Sequence, residues 1–256
     1  MSRLEGKIAI VTGASRGVGK GIALALGEQG ATVYVTGRTV NSGNALLPGT
    51  IGETAAEVSA RGGTGIAIQV DHTDHAQTAA LFEQVQTDSG RLDVLVNNLM
   101  AIPPAMTDRI GFWEKPLDLL DIFETGINAA YVAAWHAAKI MVPQGSGLIV
   151  GISGYVGVTY TYDVAFGTTK SATDRMMRDM AVELKPHGVT ALSLWQGFTF
   201  TERALENLEI APGMAEQESS TMTVKGARPI SRPFARAPAM TARAGSRSIM
   251  GFPCLH

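Results

Sequence analysis

Three closely spaced glycines form the part of this sequence best suited to chemistry. They stand in the segment Thr12-Gly13-Ala14-Ser15-Arg16-Gly17-Val18-Gly19, which follows a short apolar run and precedes a helical pattern. Glycines let a backbone approach a diphosphate closely, and the free N–H groups at a helix start attract negative charge. The spacing alone is equally typical of a structural turn, but its place between a strand and a helix favours a diphosphate site.

The elements that must position this loop recur along most of the chain. Short runs rich in Val, Ile, Leu and Ala alternate with longer helical patterns, as in a parallel sheet buried on both faces. We predict strands at Lys7–Thr12, Ala31–Thr36, Gly65–Val70, Leu92–Asn97, Leu148–Ile152 and Val189–Trp195. We predict helices at Gly19–Gln29, Gly52–Ala60, Thr78–Ser89, Leu117–Met141 (ended by Pro143) and Thr168–Lys185. This alternation predicts an α/β fold with a doubly wound parallel sheet.

Composition argues against several classes of function. The 256 residues include 21 Lys and Arg against 23 Asp and Glu, so we expect neither nucleic acid nor a membrane as a partner. No apolar stretch is long enough for a transmembrane helix, and the N-terminus lacks a signal-peptide pattern. The one cysteine, Cys254, allows no internal disulfide. We therefore expect a cytoplasmic protein.

Two histidines have a spacing that could chelate a metal. His72 and His75 are three residues apart, but no third ligand accompanies them. We therefore expect no metal site and assign both residues to the surface start of a helix.

Several motifs in family order resemble the short-chain dehydrogenase/reductase family. The N-terminal Thr-Gly-x-x-x-Gly-x-Gly segment is followed by matches at Asp71, Asn97-Asn98, Ser153, Lys170 and Gly197. Each motif is weak alone, but their combination over residues 5–203 is specific. The resemblance implies a single Rossmann-type domain at 1–203 and an oxidoreductase that acts on a small carbonyl or alcohol with a nicotinamide dinucleotide.

The same resemblance assigns residues to the dinucleotide. They are Gly13, Ser15, Arg16, Gly17, Val18, Gly19, Arg38, Asp71, Asn97 and Lys170. NAD-preferring relatives place an acidic residue after the second strand, where this chain has Thr36-Gly37-Arg38. Arg38 and Arg16 could hold a 2′-phosphate through paired N–H groups, although both could instead face solvent. We expect NADP(H) rather than NAD(H), with Asp71 at the adenine or, alternatively, capping a helix.

The catalytic residues implied by the resemblance include one that cannot transfer a proton. In the family a serine polarises the substrate oxygen, a tyrosine exchanges the proton, and a lysine four residues later holds the nicotinamide ribose. Ser153 and Lys170 match, but the tyrosine position is Phe166. A phenyl ring has no hydroxyl, and losing an acid or base costs on the order of 10²–10⁴ in rate. Tyr160 and Tyr162 stand nearby, but we expect packing roles for them.

A second departure concerns the asparagine that relatives use to hold a relay water. Its position falls on Gly126, and Asn128 lies two residues later. A helix turns by about 100° per residue, so Asn128 faces elsewhere unless the helix is distorted there.

The C-terminal part departs from the family altogether. Residues 204–256 contain no pattern of the family's last strand, and the stretch from Ser219 to His256 carries six Lys and Arg, four prolines and no acidic residue. We expect a weakly structured tail, produced by truncation or a change of reading frame. The resemblance also implies a homodimer or homotetramer formed through helices 117–141 and 168–185.

Two hypotheses remain open from the sequence. The first is an NADP(H)-dependent oxidoreductase whose turnover is impaired by Phe166. The alternative is an inactive nucleotide-binding pseudoenzyme or interaction protein. A third possibility is a chain that does not fold stably.

Overall fold

The computed structural model describes residues 3–43, 47–197 and 199–204, and within them six strands form one sheet. All neighbouring strands are parallel, and their order is β3-β2-β1-β4-β5-β6. The strands are β1 (Ile8–Thr12), β2 (Thr32–Gly37), β3 (Thr64–Gln69), β4 (Val94–Asn97), β5 (Gly147–Gly154) and β6 (Val189–Gln196). The predicted doubly wound parallel sheet is confirmed, with strand ends displaced by at most two residues.

Helices cover the sheet from both sides. They are α1 (Gly17–Glu28), α2 (Ile51–Ala60), α3 (His75–Ser89), the single turn α4 (Asp121–Phe123), α5 (Ala129–Gln144) and α6 (Val164–Leu184). One core cluster joins α1 and α2 to the sheet, and another joins α3, α5 and α6 to the opposite face. The apolar strand residues are therefore buried on both sides, which explains why the strands read as continuous apolar runs.

The predicted helix over Leu117–Met141 is helical throughout, but only part of it is regular α-helix. A 3₁₀ turn at Leu117–Leu120 leads into α4, a π-helical turn follows at Glu124–Asn128, and regular α-helix begins only at Ala129. Apolar periodicity cannot distinguish these variants, because each keeps one face towards the core.

Two predicted helix ends are also corrected. Pro143 lies inside α5, which ends at Gln144, because Gly145 adopts the left-handed conformation with a φ of 71°. The prediction of Thr168 as the start of the last helix is wrong as well. Asp163 accepts a hydrogen bond from Ala165 N at 2.7 Å and starts α6 at Val164.

Of the predicted tail at 204–256, only residue 204 is among the described residues. The expected lack of a last strand therefore lies outside the described part of the chain. Within the described part of the chain, no helix is both long and apolar enough to span a bilayer.

Helix α2 approaches β3 so closely that only glycine fits at Gly65. A Cβ atom there would overlap the backbone carbonyl of Ala55. We predict that Gly65→Ala lowers the free energy of unfolding by about 2 kcal/mol or more, because backbone must move to make room. Gly21→Ala is the control, since nothing lies near its Cβ and alanine favours helix by about 0.5–1 kcal/mol. Urea denaturation measures both, and equal stability of the two variants would contradict the prediction.

Candidate functional site

The glycine-rich loop lies between the end of β1 and the start of α1. Gly13 and Gly17 have φ values of 64° and 59°, which favour glycine over other residues. A Cβ at Gly19 would overlap the side-chain nitrogen of Asn98. Arg16 precedes α1 without a side-chain cap bond, so the first N–H groups of the helix are left for other acceptors.

The loop after β4 is fastened to this glycine-rich loop. Asn98 Nδ2 donates to the carbonyl oxygens of Thr12 and Gly13, both at 3.0 Å. Thr12 Oγ1 accepts from Asn98 N at 3.0 Å and from Leu99 N at 3.1 Å. The two loops therefore lie side by side where the strand order reverses between β1 and β4, which is where ligands bind in such sheets.

Of the adjacent asparagines, only Asn98 contacts the glycine-rich loop. The predicted ligand Asn97 is buried, and its Nδ2 donates to the carbonyl of Ala130 at 2.9 Å. Asn97 Oδ1 is buried without a partner among the described residues. Successive side chains at a strand end point to opposite faces, but the sequence could not show which of the two asparagines faces the glycine-rich loop.

An acidic side chain absent from the sequence prediction occupies the glycine-rich loop. Glu202 Oε2 accepts a hydrogen bond from Gly17 N at 2.8 Å. The carboxylate thus lies on one of the amides expected to receive a diphosphate. Burial lowers the pKa of Arg16, and Glu202 opposes that shift.

The two predicted phosphate-binding arginines have different surroundings. Arg16 donates to Thr39 Oγ1 at 3.2 Å and to the carbonyl of Gly49 at 2.8 Å. The side chain of Arg38 is 70% exposed and lies 3.6 Å from Asp71 Oδ2. Arg38 is therefore the freer of the two to contact a ligand.

Asp71 lies beside Arg38 as a charged acceptor. Its Oδ1 accepts from Thr73 N at 3.1 Å and from Thr73 Oγ1 at 2.7 Å. Burial acts to raise the pKa of Asp71, but the bonds from Thr73 and the nearby Arg38 outweigh it and lower the pKa. The cap of α3 is Asp74, so the alternative capping role for Asp71 at that helix is wrong.

The remaining predicted loop residues serve the packing of the loop. The carbonyl of Ser15 accepts from Thr54 Oγ1 at 3.4 Å, which holds the loop against α2. Val18 packs at the edge of the core cluster between α1 and the sheet.

Ser153, Phe166 and Lys170 come together where β5 meets α6. Ser153 Oγ donates to the carbonyl of Lys170 at 3.3 Å, and Lys170 Nζ donates to the carbonyl of Ile152 at 2.8 Å. The Lys170 ammonium lies 5.8 Å from the centre of the Phe166 ring. Burial lowers the pKa of Lys170 to about 8, and Asp174 opposes the shift. Below that pH the site holds a buried cation next to an aromatic ring that cannot ionise.

The two tyrosines near Phe166 take different positions. Tyr162 packs edge-on against Phe166 with 5.7 Å between ring centres. Tyr160 is 75% exposed, and its hydroxyl lies 3.5 Å from the carbonyl of Tyr162.

The π-helical turn determines what can stand at the relay position. Gly126 is buried against α6, and a Cβ there would overlap the side chain of Thr169. Asn128 is exposed and donates to Glu124 Oε2 at 2.9 Å. The local distortion is present, but it leaves Asn128 on the surface.

His72 is buried, so its predicted place at a surface helix start is wrong. Its Nε2 lies 2.8 Å from Thr36 Oγ1, and the residue is 2% exposed. His75 is the exposed first residue of α3. Over the described ranges, no three His, Cys, Asp or Glu side chains are grouped as a metal site.

A family model described as short chain dehydrogenase matches residues 7–209. The chain belongs to the short-chain dehydrogenase family. It is 41% identical over 207 residues to dehydrogenase/reductase SDR family member 1 of Mus musculus, and 40% identical over 209 residues to the Homo sapiens protein of that name. The alignments cover 79% and 80% of this chain, which spans 64% of the length of each relative.

Solved structures of the same family are similar. YwfH, an NADPH dependent reductase involved in bacilysin biosynthesis, has a TM-score of 0.71 and 26% identity over 84% of this chain and 83% of its own. A metagenomic short-chain oxidoreductase in complex with NADP has a TM-score of 0.67 and 29% identity, covering 76% of this chain and 84% of its own.

The burial of His72 predicts a loss of stability in acid. Burial lowers its folded-state pKa to about 4 from 6.5, while Asp71 opposes the shift. The unfolded chain binds this proton at the higher pH, so stability falls as pH decreases from 6.5 towards 4, by about 2 kcal/mol at pH 5. We expect urea denaturation between pH 7 and pH 5 to show a flatter profile for His72→Gln than for the wild type.

The exposed His75 provides the control for this profile. His75→Gln should retain the slope of the wild type, because its side chain is in solvent. A wild-type slope in His72→Gln would mean that other groups cause the acid sensitivity.

Proposed function

We propose that this chain is an NADP(H)-dependent oxidoreductase that interconverts a small carbonyl compound and its secondary alcohol, with slow turnover. The observation that carries the proposal is the position of two groups of residues at one edge of the sheet. The glycine-rich loop follows β1, and the Ser153–Lys170 pair lies at the end of β5, with only β4 between these strands. One extended ligand can contact both groups, as expected of a dinucleotide across a switch point.

The residues of the loop fit a dinucleotide diphosphate. Gly13 and Gly17 have left-handed backbones, and Gly17 N already binds a carboxylate oxygen. In this proposal the diphosphate lies on Gly13–Gly19, Asp71 contacts the adenine, and Lys170 binds the nicotinamide ribose. Asn97 is proposed to contact the dinucleotide through its buried Oδ1, which has no partner among the described residues. The dinucleotide supplies a hydride when bound. Residues 1–203 form the dinucleotide-binding domain in this interpretation.

The exposed Arg38 supports a preference for the phosphorylated cofactor. No carboxylate follows β2 at Gly37-Arg38, and the guanidinium has free N–H groups for a 2′-phosphate. Arg16 donates hydrogen bonds to Thr39 and Gly49 in the segment between β2 and α2, and its guanidinium adds positive charge near that segment. The NADP complex of a similar oxidoreductase is consistent with this choice.

At the substrate oxygen, the chain supplies orientation and charge without a phenol. Ser153 Oγ is a hydrogen-bond donor that can point at a carbonyl, and the Lys170 cation stabilises negative charge nearby. Phe166 fills the place from which a tyrosine would deliver a proton. The alternative function, nucleotide binding without turnover, shares every feature except the rate.

Exposed aromatic side chains on α5 support a homo-oligomer. Tyr131 and Trp135 are 55% and 49% exposed, and Lys139 Nζ lies 4.4 Å from the Trp135 ring centre. Val182 on α6 is 72% exposed. We propose that α5 and α6 of one subunit pack against those of another. We also propose that the protein acts in the cytoplasm.

Restoring the missing hydroxyl tests the reaction. Phe166→Tyr should raise the turnover of NADPH with a panel of carbonyl compounds by about 100-fold or more, because it restores the acid. Phe166→Leu is the matched control and should give no gain. Fluorescence titration should show similar NADPH affinity in all three proteins.

Three results separate the hypotheses. Wild-type turnover above about a thousandth of a typical relative's rate would contradict the proposed impairment. NADPH binding without turnover, even in Phe166→Tyr, selects the inactive alternative. A wild type that binds neither NADPH nor NADH contradicts the whole proposal.

Arg38 decides the preference for the phosphorylated cofactor. Arg38→Leu should weaken NADPH binding by about tenfold or more and leave NADH binding nearly unchanged, because it removes a charged hydrogen bond to the 2′-phosphate. Arg61→Leu removes an equal charge at the far end of α2 and should change neither affinity. Parallel losses for both cofactors in Arg38→Leu would show that the arginine does not read the phosphate.

A further inference from the structure

A lysine–aspartate ion pair is buried between the segment after β4 and the start of α6. Lys115 Nζ lies 2.8 Å from Asp163 Oδ2, and each side chain is 2% exposed. Every other ion pair in residues 3–43, 47–197 and 199–204 has at least one side chain that is 43% exposed or more. The pair is therefore unusual in this molecule, and none of the roles assigned above uses it.

The two charges connect three parts of the chain. Lys115 Nζ also donates to the carbonyl of Met106 at 3.0 Å. Asp163 uses its other oxygen, Oδ1, to accept from Ala165 N and so caps α6. One carboxylate thus holds both the segment that carries Lys115 and the helix that carries Phe166.

The same region contains the apolar wall around Phe166. Met106 and Ala165 are buried in one cluster, and Ile102 and Phe166 pack against it. Because Lys115 holds the carbonyl of Met106, it sets how closely residues 101–116 lie against the first turn of α6. Lys170 follows Phe166 one helical turn later on the same helix.

Stability alone is a weak reason for such a pair. Removing two charges from water is costly, and well-packed apolar residues often replace a buried ion pair without loss of stability. The pair does, however, fix one arrangement of the segment, because moving either partner would leave a buried charge unpaired.

We propose that Lys115 and Asp163 are positioning residues that hold residues 101–116 against α6 and thereby shape the substrate side of the site. This inference rests on the proposed function, because it takes the surroundings of Ser153 and Phe166 as the place where the carbonyl compound binds. Neither residue takes part in proton or hydride transfer.

Two double variants test whether the contacts of Lys115 with Asp163 and the Met106 carbonyl, called the tether below, require charge. Lys115→Met with Asp163→Asn keeps the volume of the lysine stem and an acceptor for the cap of α6, but it breaks the tether to Met106. Lys115→Gln with Asp163→Asn keeps a neutral donor and acceptor. Hydrogen exchange followed by mass spectrometry reports on residues 101–116 in each protein, and thermal melting reports on the whole fold.

We expect the Met variant to melt near the wild type but to exchange amides of 101–116 about tenfold faster. In the Phe166→Tyr background, its KM for the carbonyl substrate should rise about tenfold, with kcat and NADPH affinity little changed. The Gln variant should restore slow exchange and the lower KM. The control is Lys7→Met with Asp93→Asn, an ion pair with one exposed partner at the amino ends of β1 and β4, and it should alter neither measurement.

Several results would overturn the positioning role. Unchanged exchange of residues 101–116 in the Met variant would overturn it without any activity measurement. Faster exchange with an unaltered KM would also overturn it. If the Met variant fails to fold, the single variant Asp163→Asn decides, because it keeps an acceptor for the cap of α6 and removes the ion pair. Wild-type exchange of residues 101–116 in that variant would overturn the positioning role. Failure of the proposed function has a different signature, namely a wild type that binds no NADPH, and the exchange comparison remains decisive in that case.

Discussion

The hydrogen bonds between Thr12 and the Asn98 region are the contacts on which the site depends. They join residues more than 80 positions apart in sequence, at the ends of strands that are neighbours only in the folded sheet. Without them the glycine-rich loop would lose its contacts with the segment after β4 and keep only those on the side of β2 and α2 and the bond to Glu202. These hydrogen bonds join the loop after β4 and the loop after β1 into one surface between the two halves of the sheet.

The sheet and its order of elements could be predicted from the sequence, because strands buried on both faces leave continuous apolar runs. The glycine-rich loop could be placed as well, since its position between β1 and α1 is a local property. Ser153 and Lys170 were named from a resemblance, and the structure brings them into contact.

Contacts that depend on distant partners could not be predicted. A lone lysine such as Lys115 is expected on the surface, and its buried partner Asp163 lies 48 positions away in the sequence. His72 follows a strand and precedes a helix, a place typical of surface turns, yet Thr36 and the sheet enclose it. The π-helical turn could not be predicted either, because it keeps the same apolar face as a regular helix, and the close approach of Gly126 to Thr169 appears only in the folded chain. Preferences for ligand or partner that arise from such contacts require the folded chain.

Glu202 occupies an amide that a bound phosphate group would need. A carboxylate of the protein itself already satisfies Gly17 N, so an incoming phosphate group would exchange with an internal anion instead of filling an open positive site. The affinity observed would then be the difference between two interactions at the same amide. The Glu202 side chain would have to leave Gly17 N as the ligand arrives, and its neighbour Arg203 donates to the carbonyl of Ile102 in the apolar cluster that Phe166 also contacts.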